Sequence, residues 1–304
     1  MALLPIILSS LLMIEFVLGN FANGFIALVN CTDWVKRQKL SCTDRILTAL
    51  AVSRIGLLWV LVLNLYATVF NLAFYNTEAR LIMHIVWVVS NHCSLWLATS
   101  LSILYLLMIA NFSNRCFLHL KWKAKRVVLM IFLGTLIILV CHIAVSSIEE
   151  AMAMNVYDRN ITWETNMLDK VHISSVTVFI LVNFIPFTMS LTAVLLLIFS
   201  MWKHVKKMQL NGKGSQDLST KIHVRAMHTV ISFLLLFVIF FVSQITSLLN
   251  SSTLQSISVR TFCEVLGLMY PSSHSFILIF GNKKLRQAFL SFLWQPRCWL
   301  NKRK

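Results

Sequence analysis

Seven apolar stretches separated by short polar connections run the length of the chain. Each is long enough to cross a bilayer as a helix, which takes roughly 20 residues. The pattern predicts spans at Leu3–Val29, Ile46–Phe70, Leu81–Ile109, Val127–Ile148, His172–Met201, Met227–Leu249 and Thr261–Gly281, with a tail from Asn282 to Lys304. The fold class expected is an all-α membrane protein, a seven-transmembrane helix bundle forming one domain over 1–304. In the third stretch, LIMHIVWVVSNHCSLWLATSLSILYLLMIANFS, Trp87, Asn91 and Ala98 share one helical face while the other faces read almost wholly as Ile, Leu, Val and Met. This predicts a central helix with one face built for something other than lipid.

Composition agrees: 58% of the residues are hydrophobic, 12% are charged and mean hydropathy is +0.77, too apolar for a water-soluble chain of 304 residues. The net charge of +16 would suggest nucleic acid in a soluble protein, but its placement argues otherwise. Of the 27 Lys and Arg, 22 fall in the connections Cys31–Arg45, Asn114–Arg126 and Trp202–Ala226 and in the tail, against Arg80, Arg159, Lys170 and Arg260 on the other side. By the positive-inside rule the N-terminus is extracellular and the C-terminus cytosolic, and the charge meets anionic membrane lipids rather than nucleic acid. The first stretch has no basic n-region and contains Glu15, so it reads as a retained span rather than a secretory signal. None of the seven cysteines lies in the Glu149–Val171 connection, and no metal-ligand spacing occurs, so neither a metal nor a cofactor is expected.

Polar residues inside the spans are costly and therefore informative. Arg54 sits about 12 Å in from the cytosolic end of the second span, at about 1.5 Å per residue. No acid occupies the cytosolic half of any span, so Asn23, Ser275 and backbone carbonyls are its expected partners in a structural or switching layer with His274. Gly19 and Gly24 beside Asn20 and Asn23 suggest close helix approach. Pro186 predicts a kink next to Asn183, and Pro271 lies mid-span in the seventh helix.

The inner segments NRCFLHLKWKAKR and KHVKKMQLNGKGSQDLSTKIHVRAM alternate basic and apolar residues on helix extensions broken at Asn211–Ser215. That suits a cytosolic partner, with His119, Lys121, His204 and Lys207 facing it. Leu285, Phe289, Phe292 and Leu293 predict an amphipathic tail helix along the inner surface. On the other side the acidic Glu149–Val171 loop carries the sequon at Asn160, and a second lies at Asn250; both are placed for glycosylation.

No HExxH, paired intramembrane carboxylates, nucleophile elbow or phosphate-binding glycine loop is present, which argues against an enzyme. A seven-helix small-molecule transporter or channel is the alternative class, disfavoured by the lack of internal repeats and charge rings. Trp87, Asn91, Asn64, Asn183, Phe240, Gln244 and Glu264 instead place aromatic walls and a few polar anchors in the outer halves of the spans, which is the make-up of a small-molecule pocket.

GNFANGFIALVN, LTALAVSRIGLLWV, YLLMIANFSN, FLHLK, PFTMSLTAVLLLIFS, KMQLNGKGSQDLSTK and HSFILIFGNKKLRQ together resemble the type 2, or bitter, taste receptors, which are G-protein-coupled receptors, over almost the whole chain. The rhodopsin-like DRY, CWxP and NPxxY motifs are missing. The resemblance implies detection of bitter small molecules, coupling to a gustducin-like heterotrimeric G protein, and a place in the plasma membrane, or the ciliary membrane in some cells; it leaves homo- or hetero-oligomers open. It also implies agonist contacts at Trp87, Asn91 and Glu264 and a glycan at Asn160. Met108 departs from the family pattern, which usually has lysine in LKIANFS, so no charge-based role can sit there.

Overall fold

A computed structural model describes residues 3–70, 77–110, 112–159, 165–210, 218–249 and 257–301. Nine helices occur among the described residues: α1 (Leu3–Val35), α2 (Cys42–Phe70), α3 (Thr77–Ile109), α4 (Arg115–Trp122), α5 (Ala124–Arg159), α6 (Thr165–Leu210), α7 (Leu218–Leu249), α8 (Ile257–Gly281) and α9 (Lys283–Asn301). Seven of them, all but α4 and α9, are long and apolar enough to cross a membrane. The helices outrun the apolar stretches because a backbone hydrogen-bond ladder continues into water without needing apolar side chains. The acidic connection read as a loop from Glu149 to Val171 is therefore helical on both sides, α5 reaching Arg159 and α6 starting at Thr165.

Side-chain caps set several helix starts. Ser41 and Asp44 form a reciprocal box, Ser41 Oγ accepting from Asp44 N (3.1 Å) and Asp44 Oδ2 from Ser41 N (3.2 Å), which satisfies N–H groups that the first turn of α2 leaves open. Asn114 Oδ1 accepts from Cys116 N (2.9 Å) at α4, and Asn282 Oδ1 from Lys284 N (3.0 Å) at α9.

Around the bundle α1 packs on α2 and α8, α2 on α3, α7 on α6 and α8, and α5 on α3 and α6. In the most apolar stretch of α3, 72% is buried, against 22% for α5, so α3 is central and α5 peripheral. The expectation of one special face on α3 is corrected by this position. Neighbours cover most of it, and Ser90, Asn91, His92, Ser94, Thr99, Ser100 and Ser102 are all buried, pointing in several directions. On α5, Leu129, Met130, Leu133, Ile137 and Val140 are exposed, as a lipid-facing surface requires.

The glycine expectation divides. A Cβ on Gly19 would fall 2.5 Å from Ser272 Oγ and 2.9 Å from Leu58 Cδ1, so α1 meets α2 and α8 there at backbone distance. Gly24 has nothing within 4 Å of its missing Cβ, and the close approach expected of it is not made.

Leu285 and Phe289 of α9 are buried while Phe292 and Leu293 are exposed, the two-sided pattern expected of the tail helix. Its start is tied down by Lys284, whose Nζ lies 2.6 Å from Asp33 Oδ2 and donates to Asn30 Oδ1 (2.9 Å). Asp44 Oδ1 lies 3.7 Å from the same Nζ. Partly exposed ion pairs contribute about 1 kcal/mol or less. Lys284→Ala should accordingly lower the thermal midpoint of detergent-solubilised protein only slightly, and the difference should shrink further in high salt.

Candidate functional site

The inner polar layer is built by α1, α2, α3 and α8. Arg54 is fully buried, and its guanidinium forks: Nη1 donates to Ser275 Oγ (3.1 Å) and Nη2 to His274 Nδ1 (2.7 Å). Arginine has no acceptor, so Nδ1 must accept and the His274 ring carries its proton on Nε2. Arg54 Nε reaches Ser94 Oγ at 3.5 Å, and the guanidinium carbon lies 4.9 Å from the centre of the Tyr270 ring. Asn23 joins through Ser275, whose hydroxyl donates to Asn23 Oδ1 (2.7 Å), while Asn23 Nδ2 donates to the carbonyls of Gly19 (2.8 Å) and Pro271 (3.0 Å). Of the expected partners Ser275 bonds Arg54 directly and Asn23 indirectly. Tyr270 and Ser94 were not foreseen. Tyr270 is the neighbour of Pro271 in MYPSSHS, and Ser94 lies ten residues before Leu104 on a helix whose small polar residues gave no ranking of their own.

Further out, the expected pocket residues fall into two groups. On one side Trp87 stacks on Phe179 of α6, with ring centroids 6.0 Å apart and planes 17° apart. Asn91 and Asn183, both about 2% exposed, line a narrow crevice between α3, α5 and α6 together with His92, Leu95, Trp96, His142, Val182 and Pro186. Asn183 Nδ2 donates to Phe179 O (2.7 Å). Pro186 sits inside α6, where its missing N–H leaves the Val182 carbonyl without its ladder donor, and its own carbonyl accepts from Thr99 Oγ1 of α3 (3.3 Å).

On the other side are α7 and α8. Phe240 is fully enclosed, its ring 5.5 Å from Tyr270, so it is a packed wall rather than an open one. Gln244 and Glu264 are each about 9% exposed on the α7–α8 seam, where Gln244 Nε2 would lie 3.0 Å from a Cβ on Gly267. Asn64 is half-buried on α2. His142, Trp96 and His92 were not singled out in advance. The signal for His142 is legible: Thr135, Leu139, His142 and Ser146 form one buried face on the otherwise lipid-exposed α5.

At the inner surface His119 is exposed on α4, whereas Lys121 turns inward, its Nζ donating to Ala110 O (2.7 Å) just past the end of α3. An ammonium there satisfies a carbonyl left open by the helix terminus. Met108 is 58% exposed on α3. Asn160 and Asn250 lie outside the described residues, as do the side chains of His204 and Lys207. The described cysteines Cys31, Cys42, Cys93, Cys116, Cys141 and Cys263 are free thiols, and no group of three or more metal-ligating side chains occurs among the described residues.

Seven helices long and apolar enough to cross a membrane, packed around a polar centre, define a multi-pass membrane protein, and the family match below makes it one of the G-protein-coupled receptor class. The family described as Taste receptor protein (TAS2R) matches residues 1–297. Taste receptor type 2 member 31 of Papio hamadryas is 56% identical over 301 residues, covering 99% of this chain and 97% of its own. Taste receptor type 2 member 46 of Homo sapiens has the same identity and coverage, and member 30 of Pan paniscus is 56% identical over 300 residues, covering 99% and 94%. The chain belongs to the taste receptor type 2 family.

Proposed function

We propose that the receptor detects bitter small molecules between Trp87, Asn91, Phe240 and Glu264, with Asn64, Asn183 and Gln244 completing the site. Agonist binds the active arrangement more tightly, α7 moves relative to α3, and the inner face opens to the α subunit of a gustducin-like G protein. The plasma membrane, including that of cilia in some cells, is the setting, with glycans at Asn160 and Asn250.

One observation carries this reading. An unbroken series of aromatic contacts leads from the outer site to the inner polar layer: Trp87 to Phe179 (6.0 Å), Phe179 to Phe241 (6.2 Å), Phe241 to Phe237 (6.1 Å), Phe237 to Phe233 (5.8 Å) and Phe233 to His274 (5.5 Å), which bonds Arg54. All five separations fall within the range of favourable ring pairing. A group wedged at Trp87 therefore has packed matter, not a gap, between itself and Arg54.

Calcium release in cells carrying a promiscuous G protein, screened across a panel of bitter compounds, identifies the agonists. With those in hand, Trp87→Ala, Asn91→Ala and Glu264→Gln at equal surface density should each raise the half-maximal concentration of some agonists by about tenfold or more, the loss of one good contact of about 1.4 kcal/mol. Unchanged responses in all three would remove the pocket from this place.

A further inference from the structure

We propose that the crevice between α3, α5 and α6 is a second arm of the agonist site, which receives the edge of a flat ring bearing an N–H or O–H donor, and that Asn91 and His142 select that group. The proposal rests on the outer-site reading above and extends it to α5, which contributed nothing to that reading.

Four buried polar atoms of the lining have no hydrogen-bond partner, both ring nitrogens of His92 and one atom each of Asn91 and His142, and they point to a ligand. Asn91 is 2% exposed and its Oδ1 has no hydrogen-bond partner; His142 is 4% exposed and the same holds for its Nδ1. Polar atoms left unpaired in an apolar interior are costly, and a bound group that pairs both recovers that cost on binding. Oδ1 can only accept, and Nδ1 accepts when the imidazole carries its proton on Nε2, so the ligand must bring a donor, which the two acceptors share. Leu95, Trp96, Val182 and Pro186 make the walls apolar and close together, which favours a planar ring over a bulky one.

The arm is joined to the outer site. The His142 ring lies 6.4 Å from that of Phe179, whose ring also stacks on Trp87. As it stands the crevice is too narrow for a water molecule, so it must widen to take a ligand. Pro186 provides the means. Inside it, α6 is fastened to α3 by Thr99 Oγ1 on Pro186 O (3.3 Å) and Ser190 Oγ on Thr99 Oγ1 (3.0 Å); outside it, the broken ladder at Val182 lets the segment carrying Asn183 swing.

The test uses planar lactams and phenols, each paired with its N-methyl or O-methyl counterpart, and calcium release from the full-length receptor at matched surface density. In the unmodified receptor methylation should raise the half-maximal concentration about tenfold, as expected for one directed hydrogen bond, and in His142→Phe, which leaves Asn91 Oδ1 as the remaining acceptor, that ratio should fall to about threefold. His142→Asn, which keeps a polar group, should retain part of the ratio, and Asn183→Leu probes the opposite wall should His142→Phe fail to reach the surface. A ratio unchanged in His142→Phe, with Trp87→Ala still weakening the response to the same compounds, would overturn this arm while leaving the outer site intact. If other bitter compounds activate the receptor and no lactam or phenol does, the ligand class is wrong. Indifference of every agonist to Trp87→Ala, Asn91→Ala and Glu264→Gln would remove the outer site and the arm together.

Discussion

Receptor molecules carrying Arg54→Ala are expected to reach the cell surface in reduced number and to give no agonist response once there. The substitution removes a fully buried cation together with its bonds to Ser275 and His274 and its stacking on Tyr270. Hydrogen bonds to charged groups contribute about 1.5–3 kcal/mol each, so with the void left by the side chain the loss should be about 3 kcal/mol or more. Arg54→Lys should fare little better, because a single ammonium cannot fork to two acceptors while lying over a ring. Agonist-evoked calcium release normalised to surface label is the measurement. A normal response from Arg54→Ala at matched surface density would show the layer to be passive scaffolding.

Gly19→Val should produce a clear folding defect. Its Cβ would enter space held by Ser272 Oγ and Leu58 Cδ1, and Ser272 cannot simply turn away without giving up its bond to Glu15 O (3.0 Å). Overpacking of this kind costs about 1–3 kcal/mol, and the β-branch adds bulk in the same direction. Gly24→Ala five residues on is the matched control: its Cβ enters open space, and alanine is the better helix former by about 1 kcal/mol, so it should be neutral or mildly stabilising. Surface-expressed fraction and thermal midpoint should separate the two variants; equal behaviour would mean that α1 can shift outward at no cost.

The contrast between these glycines shows what the sequence could and could not convey. Hydropathy located all seven spans, because the demand of a bilayer for apolar side chains is written residue by residue. It located their ends poorly: α6 runs on to Leu210 and α7 begins at Leu218, since a helix may continue where lipid stops. Arg54 announced itself as a charge needing partners, and Ser275 and Asn23 follow from matching depths. Tyr270 as an aromatic cover, and Lys121 turned back on the end of α3, depend on which way side chains point after packing, which periodicity does not encode. The same holds for the central position of α3: one polar face was visible, but burial of the remaining faces depends on how many neighbours the helix has. The Ser41–Asp44 box and the polar face of α5 are written in the sequence too, as signals of a few residues each beside a hydrophobic pattern that runs the length of the chain.

The buried guanidinium also makes the protein an electrical object. Arg54 holds a permanent positive charge within the field that spans the bilayer, and it is the only Lys or Arg inside a predicted span. One elementary charge carried across the full membrane is worth about 2.3 kcal/mol per 100 mV. A rearrangement that carries Arg54 through a tenth of that field thus gains or loses about 0.2 kcal/mol per 100 mV. Agonist potency would then drift with the resting potential of the cell, in a direction that reports whether Arg54 rises or sinks on activation.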